Sequence, residues 1–323
     1  MLNILLKPIR FLLRKPYWFL RFRLPTLIEE KTGVPYLKIW KHKYFCLTEK
    51  SKRRAVMTLY RLYHGYDFDW ENPQLFNEKL AVRKLNPDPR FSQLADKFTV
   101  REYVREKIGE QYLVPLFFEG MNFSVTNFER LSTPCVIKTA HGSGTNILVF
   151  DKPKMNAKNV VKQIKHFQKL QFGYREMEIF YNKIPPRVIV EKMLLDENGK
   201  IPNDYKFHCF RKTDGHAEII VQVDFDRHVN HRRNLYDTQW NYIPMAYGYP
   251  GDASQQIPRP EKLEEMLNVA EKLAEGFSYV RVDLYYVKEH IYFGELTFTH
   301  GSATEKFTPP EYNRIWGEMW GEE

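Results

Sequence analysis

The stretch VIKTAHGSGTNILV, residues 136–149, places a lysine and two glycines between what read as two β-strands. The familiar glycine-rich phosphate loops run from a strand into a helix, so that the phosphate sits at the helix N-terminus. Here the segment after Gly144 is Asn146-Ile147-Leu148-Val149-Phe150, a short apolar, β-branched run closed by Asp151-Lys152-Pro153, and that signals a strand. The expected order is therefore strand, glycine loop, strand. Gly142 and Gly144, with Ser143 between them, lack the Cβ that would keep backbone N–H groups from closing over an anion. Lys138 can add a point charge beside it. Taken alone, the same residues also fit a hairpin turn with an exposed lysine.

The chain has 323 residues, of which 43% are hydrophobic and 15% aromatic, which excludes disorder and allows two or three domains around a substantial core. Cys46, Cys135 and Cys209 are widely spaced, odd in number and without metal-ligand spacing, so we expect small core residues in a reducing, cytosolic setting. Much of the net charge of +9 lies early: the opening MLNILLKPIRFLLRKPYWFLRFRLP carries Lys7, Arg10, Arg14, Lys15, Arg21 and Arg23 among Leu, Phe, Tyr17 and Trp18, with no acid. Charges break every apolar run well short of a spanning length, and no small-residue cleavage site follows; neither a transmembrane helix nor an ordinary signal peptide fits. Residues 1–24 suit an anionic membrane surface, or else a helix packed on its own domain with its lysines in solvent. No stacking or groove-reading motif accompanies the charge, so nucleic acid is not expected as a partner.

Apolar residues at helical spacing predict helices over 46–66, stopped by Gly65, over 88–109, over 156–171 with Val160, Val161, Ile164 and Phe167 on one face, and over 260–276, stopped by Gly276. Strands are expected over 187–194, 204–211, 217–223, 279–287 and 291–298, separated by turn-rich segments such as DENGK and RKTDG. The fold class is α+β, with an antiparallel sheet in the second half.

Alternation inside the last two strands carries the chemistry. Arg281 and Asp283 project from one face of 279–287 while Val280, Val282 and Leu284 fill the other, and Glu295 and Thr297 share a face of the next strand. The short turn at Lys288, Glu289 and His290 predicts that the strands pair, which brings Asp283 and Glu295 together. Two adjacent carboxylates on an apolar sheet need a cation, and hard oxygen donors favour Mg²⁺; the alternative is an ion-pair network with Arg281.

The order of these parts resembles the ATP-grasp superfamily: Lys97 in LADKFTVREYV, Lys138 before the glycine loop, a strand ending in Glu-Lys (VIVEKML), and a final RVD and GELTF pair. NEKL, ADKFTVREYV, NDYKFHCF, NHRRNLYD and FGELTF are more closely similar to the TupA-like branch, associated with teichuronopeptide and surface-polysaccharide synthesis, over roughly residues 73–312. The resemblance implies an ATP-grasp fold in which two α+β subdomains clamp the nucleotide. Its parts would be a basic extension at 1–45, an N-terminal domain at 46–130, a small subdomain with the glycine lid at 131–192 and a large subdomain with the metal site at 193–323. It implies that Lys97 and Lys138 reach phosphate oxygens, that Gly142, Ser143 and Gly144 form the lid, and that Glu191, Lys192 and the adjoining backbone bind adenine and ribose. Asp204 and Lys206 would line the pocket; Asp283 and Glu295 would hold Mg²⁺. Arg233 and Asn234 resemble an arginine–asparagine pair directed at the transferring phosphate. The superfamily usually has asparagine where this chain has Thr297, which can still supply an oxygen. His300 follows in the loop where a substrate would sit, either as an acid or base or as an exposed residue with no role.

The activity so implied is an ATP-dependent carboxylate–amine ligase. A carboxylate attacks the γ-phosphate, an amine displaces phosphate from the acyl phosphate, and Arg281 stabilises the tetrahedral intermediate. The expected partners are an amine or amino acid, and an acidic saccharide acceptor, free or lipid-linked, met in the cytoplasm or at the inner membrane face. A rival reading takes Asp224-Phe225-Asp226, after the apolar EIIVQV, as the D-x-D of a glycosyltransferase that chelates a metal-bound nucleotide sugar, although the early parallel βαβ pattern is missing.

Overall fold

The computed structural model describes residues 48–212, 214–225, 230–255 and 257–321. The basic extension, Cys46 and Asp226 lie outside the described residues.

The chain enters through α1 (Glu49–His64), whose start is fixed by Thr48: its hydroxyl accepts from Ser51 N at 3.2 Å. Gly65 ends it at φ 89°, a left-handed cap that a residue with a Cβ resists. Then follow α2 (Phe76–Leu85), α3 (Phe91–Leu94) and α4 (Val100–Lys107). The expected single helix over 88–109 is thus two short helices with Lys97 in the turn between them. Asp96 is the cause: its carboxylate accepts from Phe98 N at 2.8 Å and Thr99 N at 3.4 Å, satisfying donors that a continuous helix would use.

A four-stranded antiparallel sheet follows, built from β1 (Leu116–Gly120), β2 (Cys135–Thr139), β3 (Asn146–Val149) and β4 (Val188–Lys192) in the order β1-β4-β2-β3. The opening stretch is strand, loop, strand, with Cys135 opposite Val149 and Lys138 opposite Asn146. One face of this sheet is closed by α5 (Val125–Arg130) and α6 (Ala157–Phe167), which bury Phe128, Val160, Val161 and Ile164 on Cys135, Ile137, Val188 and Val190. Each such side chain contributes about 1.5–3 kcal/mol on full burial. The expected boundary at residue 130 therefore cuts a single unit, because β1 and α5 precede it. A short α7 (Phe172–Arg175) lies between α6 and β4.

The second sheet has six antiparallel strands in the order β11-β10-β5-β6-β7-β8. Its strands are β5 (Asp204–Arg211), β6 (Ala217–Phe225), β7 (Arg232–Tyr236), β8 (Tyr242–Ile243), β10 (Tyr279–Val287) and β11 (His290–Thr297). A small pair, β9 (Ala246–Tyr247) with β12 (Phe307–Thr308), sits beside it, and α8 (Leu263–Leu273) and α9 (Glu311–Met319) complete the chain. One face of the six-stranded sheet is largely apolar. Phe207, Val221, Val223, Val280, Val282 and Leu284 pack there on α8, α3 and α4. The opposite face is divided. At one end Phe210, Ile220, Leu235 and Tyr279 meet Phe76, Trp316 and Trp320 from α2 and α9. The rest of that face is polar, and it carries the site. Cys135 and Cys209 are buried free thiols, as expected of small core residues.

Candidate functional site

On the six-stranded sheet, register decides which side chains meet. Asp283 pairs with Glu295 on one side and with Lys206 on the other, Asp204 with Asp224, and Asp224 with Arg233. The buried Asp283 carboxylate accepts from Arg281 Nε at 2.6 Å and Nη2 at 2.7 Å, and from Lys206 Nζ at 2.6 Å. Lys206 also lies 3.7 Å from Asp204. Arg281 Nη2 reaches Glu295 at 3.2 Å and the Thr297 hydroxyl at 3.0 Å. Burial opposes the charge on Asp283, but the Arg281 guanidinium and the Lys206 ammonium outweigh it and hold the carboxyl below the ordinary carboxylate range. The two carboxylates are paired, and Arg281 contacts both, which is the ion-pair alternative. Among the described residues no group of three or more His, Cys, Asp and Glu gathers in a metal-holding arrangement. The donors present, two carboxylates and a hydroxyl, fit Mg²⁺, which keeps several waters and takes one or two carboxylates from a protein.

On the four-stranded sheet, Lys138 and Glu191 share the face opposite α5 and α6, and Lys138 Nζ lies 2.7 Å from Glu191 Oε2. Arg101 from α4 holds the other oxygen at 3.2 Å. Lys192, one residue on, alternates to the opposite face and is exposed. In the glycine loop, Gly142 is buried against Phe172, where an added Cβ would fall 2.1 Å from a ring carbon, and Gly144 takes φ +73°. Ser143 and Gly144 are exposed. The Thr139 and Thr145 hydroxyls close the base of the loop at 2.7 Å.

Lys97 joins the two halves. Its ammonium donates to the Gly142 carbonyl. Burial pushes its pKa below the ordinary lysine value; Lys138 adds to that shift, while Glu295 on the large sheet and Glu191 on the small one oppose it. One lysine therefore feels Glu295 of the large sheet and the glycine-loop strand together.

Further along the polar face, Arg233 is held by Asp224, through Nε at 2.7 Å and Nη2 at 3.3 Å, and by the Tyr247 carbonyl at 2.7 Å. Asp224 is 2% exposed and also accepts from Gln222 at 3.1 Å. Both of its oxygens meet Arg233. Asn234 does not join Arg233. It pairs with Val223 and so lies on the other face of the sheet, where its amide donates to the Asp252 carbonyl at 2.9 Å and the Gln255 carbonyl at 3.2 Å. His300 is buried, not exposed, in contact with Arg281, and burial together with Arg281 and Arg233 drives its pKa well below the ordinary histidine value.

Sequence reasoning did not single out His208, Gln222, Arg101 or Glu305. The first two were within reach, since alternation from Lys206 and from Asp224 puts them on the polar face. Glu305 sits in an irregular loop whose position depends on Gly248 and Gly301, and no periodicity announces it.

A four-stranded antiparallel sheet with a glycine lid, set against a larger antiparallel sheet with paired carboxylates, defines the ATP-grasp fold. The model of the TupA-like ATP-grasp family matches residues 78–320, and the chain belongs to that family. Among solved structures, the chain is similar to D-alanine–D-alanine ligase from Helicobacter pylori at 11% identity, covering 69% of this chain and 56% of that one with a TM-score of 0.37. The D-alanine–D-alanine ligase from Bacillus anthracis complexed with ATP is 15% identical over 68% of this chain and 56% of that one, TM-score 0.35. N5-carboxyaminoimidazole ribonucleotide synthetase from Thermus thermophilus is 14% identical over 74% and 56%, TM-score 0.38. The chain thus spans less than two thirds of the length of these structures. No curated protein matches it. Among the described residues no helix is long and apolar enough to cross a membrane.

Proposed function

We propose that the protein is an ATP-dependent carboxylate–amine ligase that forms an amide through an acyl phosphate. The observation that carries this reading is the Lys97 ammonium on the Gly142 carbonyl of the glycine loop, with the Lys138–Glu191 pair on the small sheet and the Asp283–Glu295 pair on the large one. A polyphosphate bound there would meet Lys97, Lys138 and the glycine-loop N–H groups on one side and the carboxylate pair on the other. Asp283, Glu295 and the Thr297 hydroxyl would hold Mg²⁺, which when bound neutralises phosphate charge. Lys206 and Arg281 keep the Asp283 carboxylate charged until then. Glu191 would receive the ribose hydroxyls once Lys138 turns from it to phosphate. Arg281 then faces the carbonyl under attack, as a preorganised donor to the developing oxyanion.

Carboxylate oxygen is a poor leaving group for acyl transfer, and phosphorylation corrects that. The substrate acid we propose is an acidic sugar or peptide group of a surface polysaccharide or its lipid-linked precursor, the nucleophile an amine or amino acid, and the location the cytoplasm and its membrane face. A basic chain suits an acidic acceptor.

Mg-ATP at a hundred times its Kd is expected to stabilise the protein by about 2.7 kcal/mol, or about 4 °C in Tm, while UDP-sugars leave Tm unchanged. With ATP, Mg²⁺ and uronic acids, phosphate should be released strongly only when an amine is added, and the product should gain the mass of an amide. Sugar transfer from a nucleotide donor without ATP consumption would overturn the ligase reading.

Deleting residues 1–24 is expected to reduce co-sedimentation with anionic liposomes, and added salt should mimic the deletion, because surface charge is screened within about 8–10 Å near physiological ionic strength. Unchanged binding would leave the segment a packing element.

A further inference from the structure

We propose that Glu305 is the carboxylate that receives the ammonium group of the amine substrate, with Arg233 as its positioning residue; the inference rests on the ligase reading above. A row of polar contacts crosses the sheet from the aromatic core to the carboxylate pair. Tyr279 OH lies 2.9 Å from His208 Nδ1, His208 Nε2 lies 2.9 Å from Gln222 Oε1, and Gln222 Nε2 donates to Asp224. Asp224 holds Arg233, Arg233 Nη1 reaches Glu305 Oε2 at 3.2 Å, and His300 Nε2 lies 2.9 Å from the same oxygen. His300 Nδ1 then meets Arg281.

The charged members fix every proton in this row. Asp224 accepts only, so Gln222 turns its amide nitrogen to it and its carbonyl to His208, which places the His208 proton on Nε2. Arg281 donates only, so His300 Nδ1 accepts and the His300 proton sits on Nε2, which lies beside Glu305 without hydrogen-bond geometry to it. Arg233 therefore presents a hydrogen to Oε2 of Glu305, and the His300 ring lies against the same oxygen. Among the described residues Glu305 Oε1 accepts no hydrogen bond. Arg233 spends its other contacts on Asp224 and the Tyr247 carbonyl, which makes it a support for Glu305 and leaves little of it for phosphate.

The backbone is shaped around the same carboxylate. Gly248 at φ +71° and Gly301 at φ +54° lie against it, and a Cβ on either would come within 2.5 Å or 2.7 Å of Glu305 side-chain atoms. Asn77 Nδ2 from α2 holds the Glu305 carbonyl at 2.9 Å. Yet the Glu305 side chain is 20% exposed, against 5% for Arg233 and 3% for His300, so it is the member of this group that a ligand can touch. His300 alone separates it from Arg281, the donor that would face the reacting carbonyl. An amine arrives at neutral pH as an ammonium ion, and a fixed carboxylate one imidazole away from Arg281 is a charge-assisted acceptor for it.

The test uses the full chain and two small probes of similar shape, glycinamide, which is cationic, and glycolamide, which is neutral, with binding followed by ligand-observed NMR. Wild-type protein is expected to prefer glycinamide about tenfold, equivalent to about 1.4 kcal/mol. Glu305→Gln should abolish the preference and Arg233→Lys should diminish it, while the Tm increase with Mg-ATP persists in Glu305→Gln. Equal binding of the two probes by wild-type protein, a preference retained in Glu305→Gln, or loss of the Mg-ATP shift in that variant would each overturn the assignment. Absence of the Mg-ATP shift from wild-type protein would instead count against the ligase reading itself.

Discussion

Glu295→Gln is expected to remove turnover while leaving the protein folded. The side chain of Glu295 is 44% exposed at the edge of the polar face, so the change in charge costs the core little, yet it deletes one of the two carboxylates proposed for the metal. Loss of several kcal/mol of charge stabilisation in the transition state, about 4 kcal/mol or more, corresponds to about a thousandfold or more in kcat. Asp283→Asn should match it in activity and differ in stability. Asp283 is buried and compensates two cations; after the change Arg281 retains Glu295 at 3.2 Å and Lys206 retains Asp204 at 3.7 Å, so the chain should fold with a lower Tm. Phosphate release against circular dichroism separates the two effects. Normal turnover by Glu295→Gln would show that the pair belongs to the Arg281 network and holds no metal.

The parts of the fold that the sequence made legible are those in which a strand has one apolar face and one polar face. Tyr279–Val287 and Asp204–Arg211 have the same bounds in sequence and structure, because every second side chain enters the apolar core and a slip of one residue would bury Asp283 or Lys206 there. The pairing of Asp283 with Glu295 followed from that alternation and a short turn. The glycine loop was legible for a different reason: a β-branched run after Gly144 cannot start an amphipathic helix.

What escaped reading depends on distant contacts. β1 is a short edge strand with exposed Phe117, and its membership in the small sheet is set by pairing with β4 some seventy residues later. α9 carries Gly317 where a Cβ would meet the Gln74 carbonyl at 2.1 Å, so the residue that reads as a helix breaker is the one that lets α9 approach the start of α2. Asn234 follows from a rule available at the outset: neighbours in a strand face opposite ways, so Arg233 and Asn234 cannot both face one phosphate from β7. The resemblance paired them; alternation separates them.

Arg281→Ala is expected to have the widest consequences of any single change on the polar face. In wild-type protein this guanidinium bridges Asp283, Glu295, Thr297 and His300. Its removal takes away the donor proposed for the developing oxyanion, a loss of about 10²–10³ in turnover. It also leaves Asp283 buried beside Glu295 with only Lys206 close by, and breaking a buried pair in this way costs about 3–5 kcal/mol. The pH dependence distinguishes the electrostatic cost from lost packing. The Asp283 carboxyl is held below its unfolded value in wild-type protein, so its stabilising contribution is present above about pH 3.9 and is lost as the pH falls through the lower folded value. In the variant, burial and the adjacent carboxylate act without Arg281 and raise the folded value, so Asp283 destabilises the variant at neutral pH and is relieved by protonation on acidification. The difference in Tm between wild-type and Arg281→Ala should therefore be largest near pH 7 and shrink toward pH 4. An Arg281→Met control, which keeps most of the packing, should show the same pH dependence. A Tm difference independent of pH in both variants would mean that Arg281 stabilises the sheet by filling space and that its charge is not what holds the carboxylate pair.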